Sequence, residues 1–258
     1  QRVALRLPYK SILESLDEHF NEKITLNTIS RFTHKCARYY AKTEKYVVQR
    51  LLESPTIHVD ETPINIKGAD WYVWVFTNEK YVIFKLRETR EATIVHEFLE
   101  DYKGILVSDF YPGYDSVPCR QQKCWVHLIR DVNSDLRANP FDTEFGLFVF
   151  ELRGLIIPIM EDVQRYGLKK RNLNKFRKHV DRFYKKMITD KRYKSELAIK
   201  YQNRFKRYRN SLFTFLEKDG IPWNNNAAER AIRHVAIQNT MSSALCKDVT
   251  QDYLVLLG

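Results

Sequence analysis

The sequence predicts an α/β fold: a mixed-sheet core interrupted by an α-helical insertion and preceded by an N-terminal helical segment. Three observations predict it. Residues 55–139 contain β-branched and aromatic runs of strand length. Residues 151–218 carry apolar side chains at helical spacing among lysines and arginines. The first 54 residues show two further helical stripes. The predicted divisions are a helical segment at 1–54, a first part of the core at 55–140, a basic insertion at 141–218 and the end of the core at 219–258.

Within the N-terminal segment, Ile12, Leu13, Leu16 and Phe20 form one stripe, and Ile24 to Tyr40 holds the second. Ile24 to Arg31 resembles the turn and first residues of a helix-turn-helix recognition helix, a pattern that many helical hairpins share. Thr56 to Ile66, Trp71 to Asn78 and Lys80 to Glu88 read as three strands. Gly68-Ala69-Asp70 and Asn78-Glu79 are short enough for hairpin turns. Glu91 to Tyr102 has helical spacing, and Ile105-Leu106-Val107 has the wholly apolar pattern of a strand buried on both faces. Three antiparallel strands, a helix and a buried strand match the first half of a ribonuclease-H-like fold.

Composition narrows the function. The 258 residues are 44% hydrophobic and 13% aromatic, enough for a core, so intrinsic disorder is excluded. Four cysteines without regular spacing make no disulfide scaffold and point to a reducing compartment. The apolar stretch Phe145 to Met160 is interrupted by Glu151 and Arg153 and does not read as a membrane span. No basic-then-apolar signal opens the chain. The formal charge of +11 suggests a polyanionic partner. That charge is local: residues 151–218 hold 20 Lys+Arg against 7 Asp+Glu, a net of +13, and the rest of the chain nets −2. Like charges at that density call for a neutralising partner such as a phosphate backbone. The start on Gln1 and the apolar run Tyr253 to Leu257 before Gly258 read as those of a fragment.

Three carboxylates are candidates for chemistry. Asp60 lies inside the first strand, sharing a face with His58 and Thr62, where aspartate is depleted unless it has a partner or a task. Asp109 follows the buried strand, where α/β sheets place ligand-binding groups. Glu229 sits in Asn224-Asn225-Asn226-Ala227-Ala228-Glu229, and with Asn226 as N-cap it would also complete a capping box. Magnesium prefers oxygen ligands, and two ions about 3.5–4 Å apart can activate the attacking oxygen and stabilise the leaving one at phosphorus. Phosphate loops, Gly-x-Ser-x-Gly and His-Glu-x-x-His are missing.

Four blocks occur in order: His58-Val59-Asp60-Glu61-Thr62-Pro63, then Ser108-Asp109-Phe110-Tyr111-Pro112-Gly113-Tyr114-Asp115, then Cys124-Trp125-Val126-His127-Leu128-Ile129-Arg130-Asp131, then Asn225-Asn226-Ala227-Ala228-Glu229-Arg230. From about Leu7 onward the chain resembles the Asp-Asp-Glu transposases of prokaryotic insertion sequences, specifically the family numbered sixty-six. The resemblance implies a ribonuclease-H-like catalytic core with Asp60, Asp109 and Glu229 as catalytic residues and ligands of two Mg2+ ions, for which Mn2+ would substitute. It implies hydrolysis at the element's ends, followed by attack of the freed 3′-hydroxyl on target DNA. Double-stranded DNA, a homodimer on paired ends, no membrane, and a prokaryotic cytoplasm with nucleoid association follow from it.

Cys124 and His127, spaced Cys-x-x-His, resemble the family motif that supports the site. Cys124 also suits a small buried hydrophobe, and a zinc site with Cys119 lacks a fourth ligand. Arg230 and Arg233, with Asn225 and Trp223, are candidate DNA contacts. The arginines suit exposed helix charges equally, and Trp223 equally suits a staple for the helix start. Gln238-Asn239-Thr240 departs from the family, which usually carries a basic pair there, and the family's N-terminal DNA-binding module is missing. Two other functions fit the same residues: a nuclease or resolvase acting by hydrolysis alone, and an inactive DNA-binding remnant.

Overall fold

The computed structural model describes residues 7–241 and 247–258, with the backbone alone at 238–241. Gln1 and the Gln238-Asn239-Thr240 side chains therefore lie outside the described residues. The chain divides into two compact units: a sheet unit of residues 1–104 and 226–258, and a helical unit of residues 105–225. Together they give the α/β composition that the sequence predicts.

In the sheet unit, helix α1 (Tyr9–Phe20) ends on Asn21 in the left-handed conformation, φ 54°. Helix α2 (Leu26–Leu52) starts where the Thr25 hydroxyl accepts the Thr28 N–H. Strands β1 (Thr56–Ile66), β2 (Ala69–Thr77) and β3 (Val82–Arg87) form an antiparallel meander with β2 central, pairing Asp60 with Val75 and Val75 with Phe84. The first turn is tight, with Lys67 at φ 51° and Gly68 at φ 86°, which suits a two-residue hairpin. Asn65 Oδ1 accepts the Gly68 N–H at 2.9 Å.

Helix α3 spans only Thr93–Phe98, shorter than the spacing from Glu91 to Tyr102 suggests. Tyr102 is drawn out of the helical stripe, because its hydroxyl donates to the Ser54 carbonyl at 2.9 Å. Its ring lies over Gly104, where a Cβ would fall 2.1 Å from the Tyr102 oxygen. Only glycine fits that approach.

The helical unit opens with β4 (Ile105–Ser108), buried at every position, and pairs it in parallel with β5 (Arg120–Lys123). Helices α4 (Trp125–Ala138), α5 (Thr143–Tyr166), α6 (Lys170–Leu173), α7 (Arg177–Phe183), α8 (Glu196–Arg207) and α9 (Arg209–Leu212) follow. A π-helical turn, Tyr184–Thr189, continues α7. The apolar spacing from Tyr193 to Leu216 does not give one helix. It breaks at Tyr208, where the backbone leaves helical geometry at φ −102°, ψ 19°.

The core of this unit is aromatic. Phe148 touches Phe145, Phe183, Tyr201 and Phe205, and Trp125 meets Phe213 and Phe215 edge-on. Buried polar tips find acceptors: Tyr184 donates to the Phe205 carbonyl, Tyr193 to that of Met187 and Trp125 to that of Leu212. The same buried cluster takes in Ile105 of β4 and Trp125, Leu128 and Val132 of α4, so the helices pack onto the two parallel strands of their own unit.

The chain then returns to the sheet unit as α10 (Asn226–Met241) and α11 (Lys247–Leu257). Ala228, Ile232 and Val235, at i, i+4 and i+7 of α10, pack with Ile64, Ile66, Val73 and Val75. Helix α11 packs on α2 and β3, with His34 bonded to Asp252 at 2.9 Å. No helix among the described residues is long and apolar enough to cross a membrane.

Candidate active site

Strand pleating separates the two adjacent acids of β1. Asp60 lies on the same face as Ile64 and Ile66, the residues against which α10 packs. Glu61 points to the other face, where its nearly buried carboxylate accepts two bonds from Arg90 at 2.7 and 2.9 Å. Asp60 stays half-buried, and its Oδ1 accepts the Glu61 N–H at 3.0 Å. The strand thus commits one acid to an ion pair and directs the other toward the helix of Glu229.

Glu229 is half-buried in the first turn of α10 and borders the stripe of Ala228 and Ile232 that meets the sheet. The helix already includes Asn226, which makes Glu229 its fourth residue rather than the third that the capping box requires. Arg230 and Arg233 are exposed, and Arg230 reaches Glu79 only at 3.6 Å.

Asp109 directly follows β4 and is half-buried, its Oδ1 accepting the Tyr111 N–H at 2.9 Å. The turn Pro112–Tyr114 leads from it to Asp115. Opposite Ser108 in the parallel register stands Lys123, a fully buried lysine. Its ammonium lies 3.1 Å from Asp115 and donates to the Ser108 hydroxyl at 3.2 Å. Burial holds its pKa below the ordinary lysine value, against the pull of Asp115 and then Asp109. Asp115 also accepts from Arg207 at 2.6 Å and Tyr208 at 2.9 Å. Sequence reasoning missed Lys123, because a lysine in Arg120-Gln121-Gln122-Lys123 carries no sign of burial.

Cys124 is buried and ties two segments of the helical unit together. Its N–H donates to the Ser108 carbonyl at 2.8 Å and its Sγ accepts the Asn225 N–H at 3.2 Å. Next to it, the Trp125 N–H donates to the Trp223 carbonyl at 2.9 Å. This anchor holds the backbone of Trp223 to Asn225, which ends four residues before Glu229. Trp223 is half-buried against the aromatic core, Asn225 is fully buried and His127 is half-buried in the first turn of α4.

The charge of the insertion is only partly neutralised. Lys175 pairs with Asp162, Lys186 with Glu151 and Lys200 with Asp135. Lys178, Arg182 and Lys185, at i, i+4 and i+7 along α7 and its continuation, are exposed and make no ion pair among the described residues. A cleft of about 650 Å3 in the same unit is different: its Arg120, Arg177, Arg207 and Arg209 are all paired with its own Glu217, Asp115 and Asp181.

The family model for the transposase IS66 family matches residues 1–249. No curated protein sequence matches the chain. Among solved structures, the catalytic domain of the Mos1 mariner transposase is similar at 13% identity, over 90% of this chain and 97% of that one, with a TM-score of 0.21.

Proposed function

This chain belongs to the IS66 transposase family, and from that premise we propose that it cuts and joins DNA using divalent metal ions held by Asp60, Asp109 and Glu229. The observation that carries the reading is the shared face of the sheet unit: Asp60 lies on the face that α10, the helix of Glu229, covers. Asp109 enters by its position after a buried parallel strand, where such sheets present ligand-binding groups. We read the whole as ribonuclease-H-like.

The donor set fits magnesium. Its atoms are carboxylate oxygens, and all three residues are half-buried rather than fully buried, which limits the cost of holding them charged. Two bound Mg2+ ions, or Mn2+ in their place, would supply charge neutralisation at phosphorus and activation of the attacking oxygen. The rest falls to the protein. Arg90 keeps Glu61 on the opposite face, the Tyr111 N–H orients Asp109, and the Cys124 anchor holds the segment leading into α10. Arg230 and Arg233 meet phosphates near the cut, and the unpaired cations of α7 bind the duplex backbone. Water attacks phosphorus and the 3′-oxygen leaves with a proton. That 3′-hydroxyl then attacks a target phosphodiester and displaces its bridging oxygen.

A strand-transfer assay tests this, using duplexes that carry the ends of the encoding element, target plasmid and Mg2+. The expected result is joined product with the wild type and none with Asp60→Asn. Nicking without joining would reduce the protein to a nuclease, and nicking by Asp60→Asn equal to wild type would remove Asp60 from the chemistry.

A further inference from the structure

Outside the insertion, one helix carries a marked excess of basic residues. Helix α2 holds six lysines and arginines against one glutamate, a net of +5 in 27 residues. Arg31, Lys35, Arg38, Lys42 and Lys45 fall at i, i+4, i+7, i+11 and i+14, a single stripe along one face. All five are exposed, and none makes an ion pair among the described residues. The stripe runs for ~21 Å at the helical rise. The helix packs by its opposite side, where Thr33, Ala37 and Leu51 are buried, and its one acid, Glu44, is paired with Lys85 at 2.5 Å on β3.

A second stripe lies beside the cations. Phe32, Tyr39 and Tyr46, at i, i+7 and i+14, are 69%, 78% and 50% exposed. A face that serves only solvation mixes signs at i, i+4, as Lys10 and Glu14 do on α1. Here each cation instead repels the next, and large aromatics stand uncovered alongside. Both costs are relieved by a ligand that is polyanionic along a line and offers apolar or π surface between its charges. A DNA duplex supplies the line of charge through its phosphates and apolar surface through the sugar carbons between them. A second copy of the same face would add repulsion, so the stripe disfavours self-pairing.

We propose that the outward face of α2 is a docking surface for the phosphate backbone of duplex DNA, separate from the cations of α7. The proposal rests on the reading that this chain acts on DNA, and not on the three carboxylates. The surface holds DNA by charge and is indifferent to base sequence. Its contribution therefore appears as salt dependence.

The test is fluorescence anisotropy of a random duplex of roughly 30 base pairs against salt, with the full chain and the variant R31Q/K35Q/R38Q/K42Q/K45Q. The expected slope of log affinity on log salt falls by about 4 in the variant, with affinity at least ~10-fold weaker and the thermal midpoint unchanged. Should the five changes impair folding, K35Q/R38Q/K42Q is read alone, with an expected slope change of about 2.7. An unchanged slope in a folded variant overturns the surface. So does unchanged DNA affinity with a changed mass by sedimentation, which would assign the face to self-association. Wild-type protein that binds no duplex even at low salt would instead sink the DNA reading itself.

Discussion

Asp60 and Asp109 have the same proposed task and opposite surroundings. Asp60 sits in an antiparallel strand whose other acid, Glu61, is held by the half-exposed Arg90. Asp109 ends a strand whose parallel neighbour brings up Lys123, a fully buried ammonium tied to Asp115 and Ser108. The sheet unit places its aspartate with a pleat and a packed helix. The helical unit holds its own with the Tyr111 N–H, in a neighbourhood built on a buried charge that must itself be satisfied. A pleat tolerates substitution nearby, whereas a buried charge does not.

The largest expected effect breaks the buried side of this comparison. Asp115→Asn leaves Lys123 buried without its counter-charge and is expected to destabilise the protein by about 3–5 kcal/mol in chemical denaturation. Lys123→Met removes the charge and keeps most of the volume, and its expected cost is near zero. Equal costs for the two would show that the pair stabilises by attraction rather than by avoiding an orphaned charge.

A smaller effect sharpens the same contrast through pH. Burial pushes the phenols of Tyr193 and Tyr208, both in the helical unit, up to about 12. Unfolded, they lose a proton near 10, so between pH 10 and 12 the unfolded state binds fewer protons and stability falls as pH rises. Tyr193→Phe loses its bond to the Met187 carbonyl, about 1 kcal/mol at neutral pH. It is expected to flatten the decline between pH 10 and 12, followed by helical circular dichroism. A decline of unchanged steepness would remove Tyr193 as its source.

Much of this organisation was legible in the sequence because pattern and packing agree there. Thr56 to Ile66 is a strand by composition, and the pleat alone puts Asp60 on the face of Ile64. What stayed hidden was polar and buried. Arg120-Gln121-Gln122-Lys123 has no strand signal, yet Gln121 donates to the Tyr114 carbonyl and Gln122 to that of Leu212 while accepting the Phe215 N–H. The Gln122 partners lie about 90 residues away in sequence, and no local pattern reveals either side chain's task. The α2 stripe was hidden for another reason: averaging over 190 residues gave −2, and a line of five cations cancelled against acids elsewhere. The three carboxylates were singled out by their positions and by the family blocks, as was Cys124, but the bond from the Asn225 N–H that makes Cys124 an anchor shows itself only in the structure.

In the proposed division of labour, the carboxylates perform the chemistry while exposed cations hold the DNA. The most direct measurement pairs Mg2+-dependent nicking of an element end with duplex affinity, in Asp60→Asn, Asp109→Asn, Glu229→Gln and K178Q/R182Q/K185Q. Each carboxylate variant is expected to lose roughly 1,000-fold or more in nicking, about 4 kcal/mol of barrier, with affinity within about two-fold of wild type. The triple variant is expected to lose about 2.7 in salt slope yet to nick at the wild-type rate once DNA is saturating. Wild-type nicking by any one carboxylate variant would remove that residue from the chemistry and break the division.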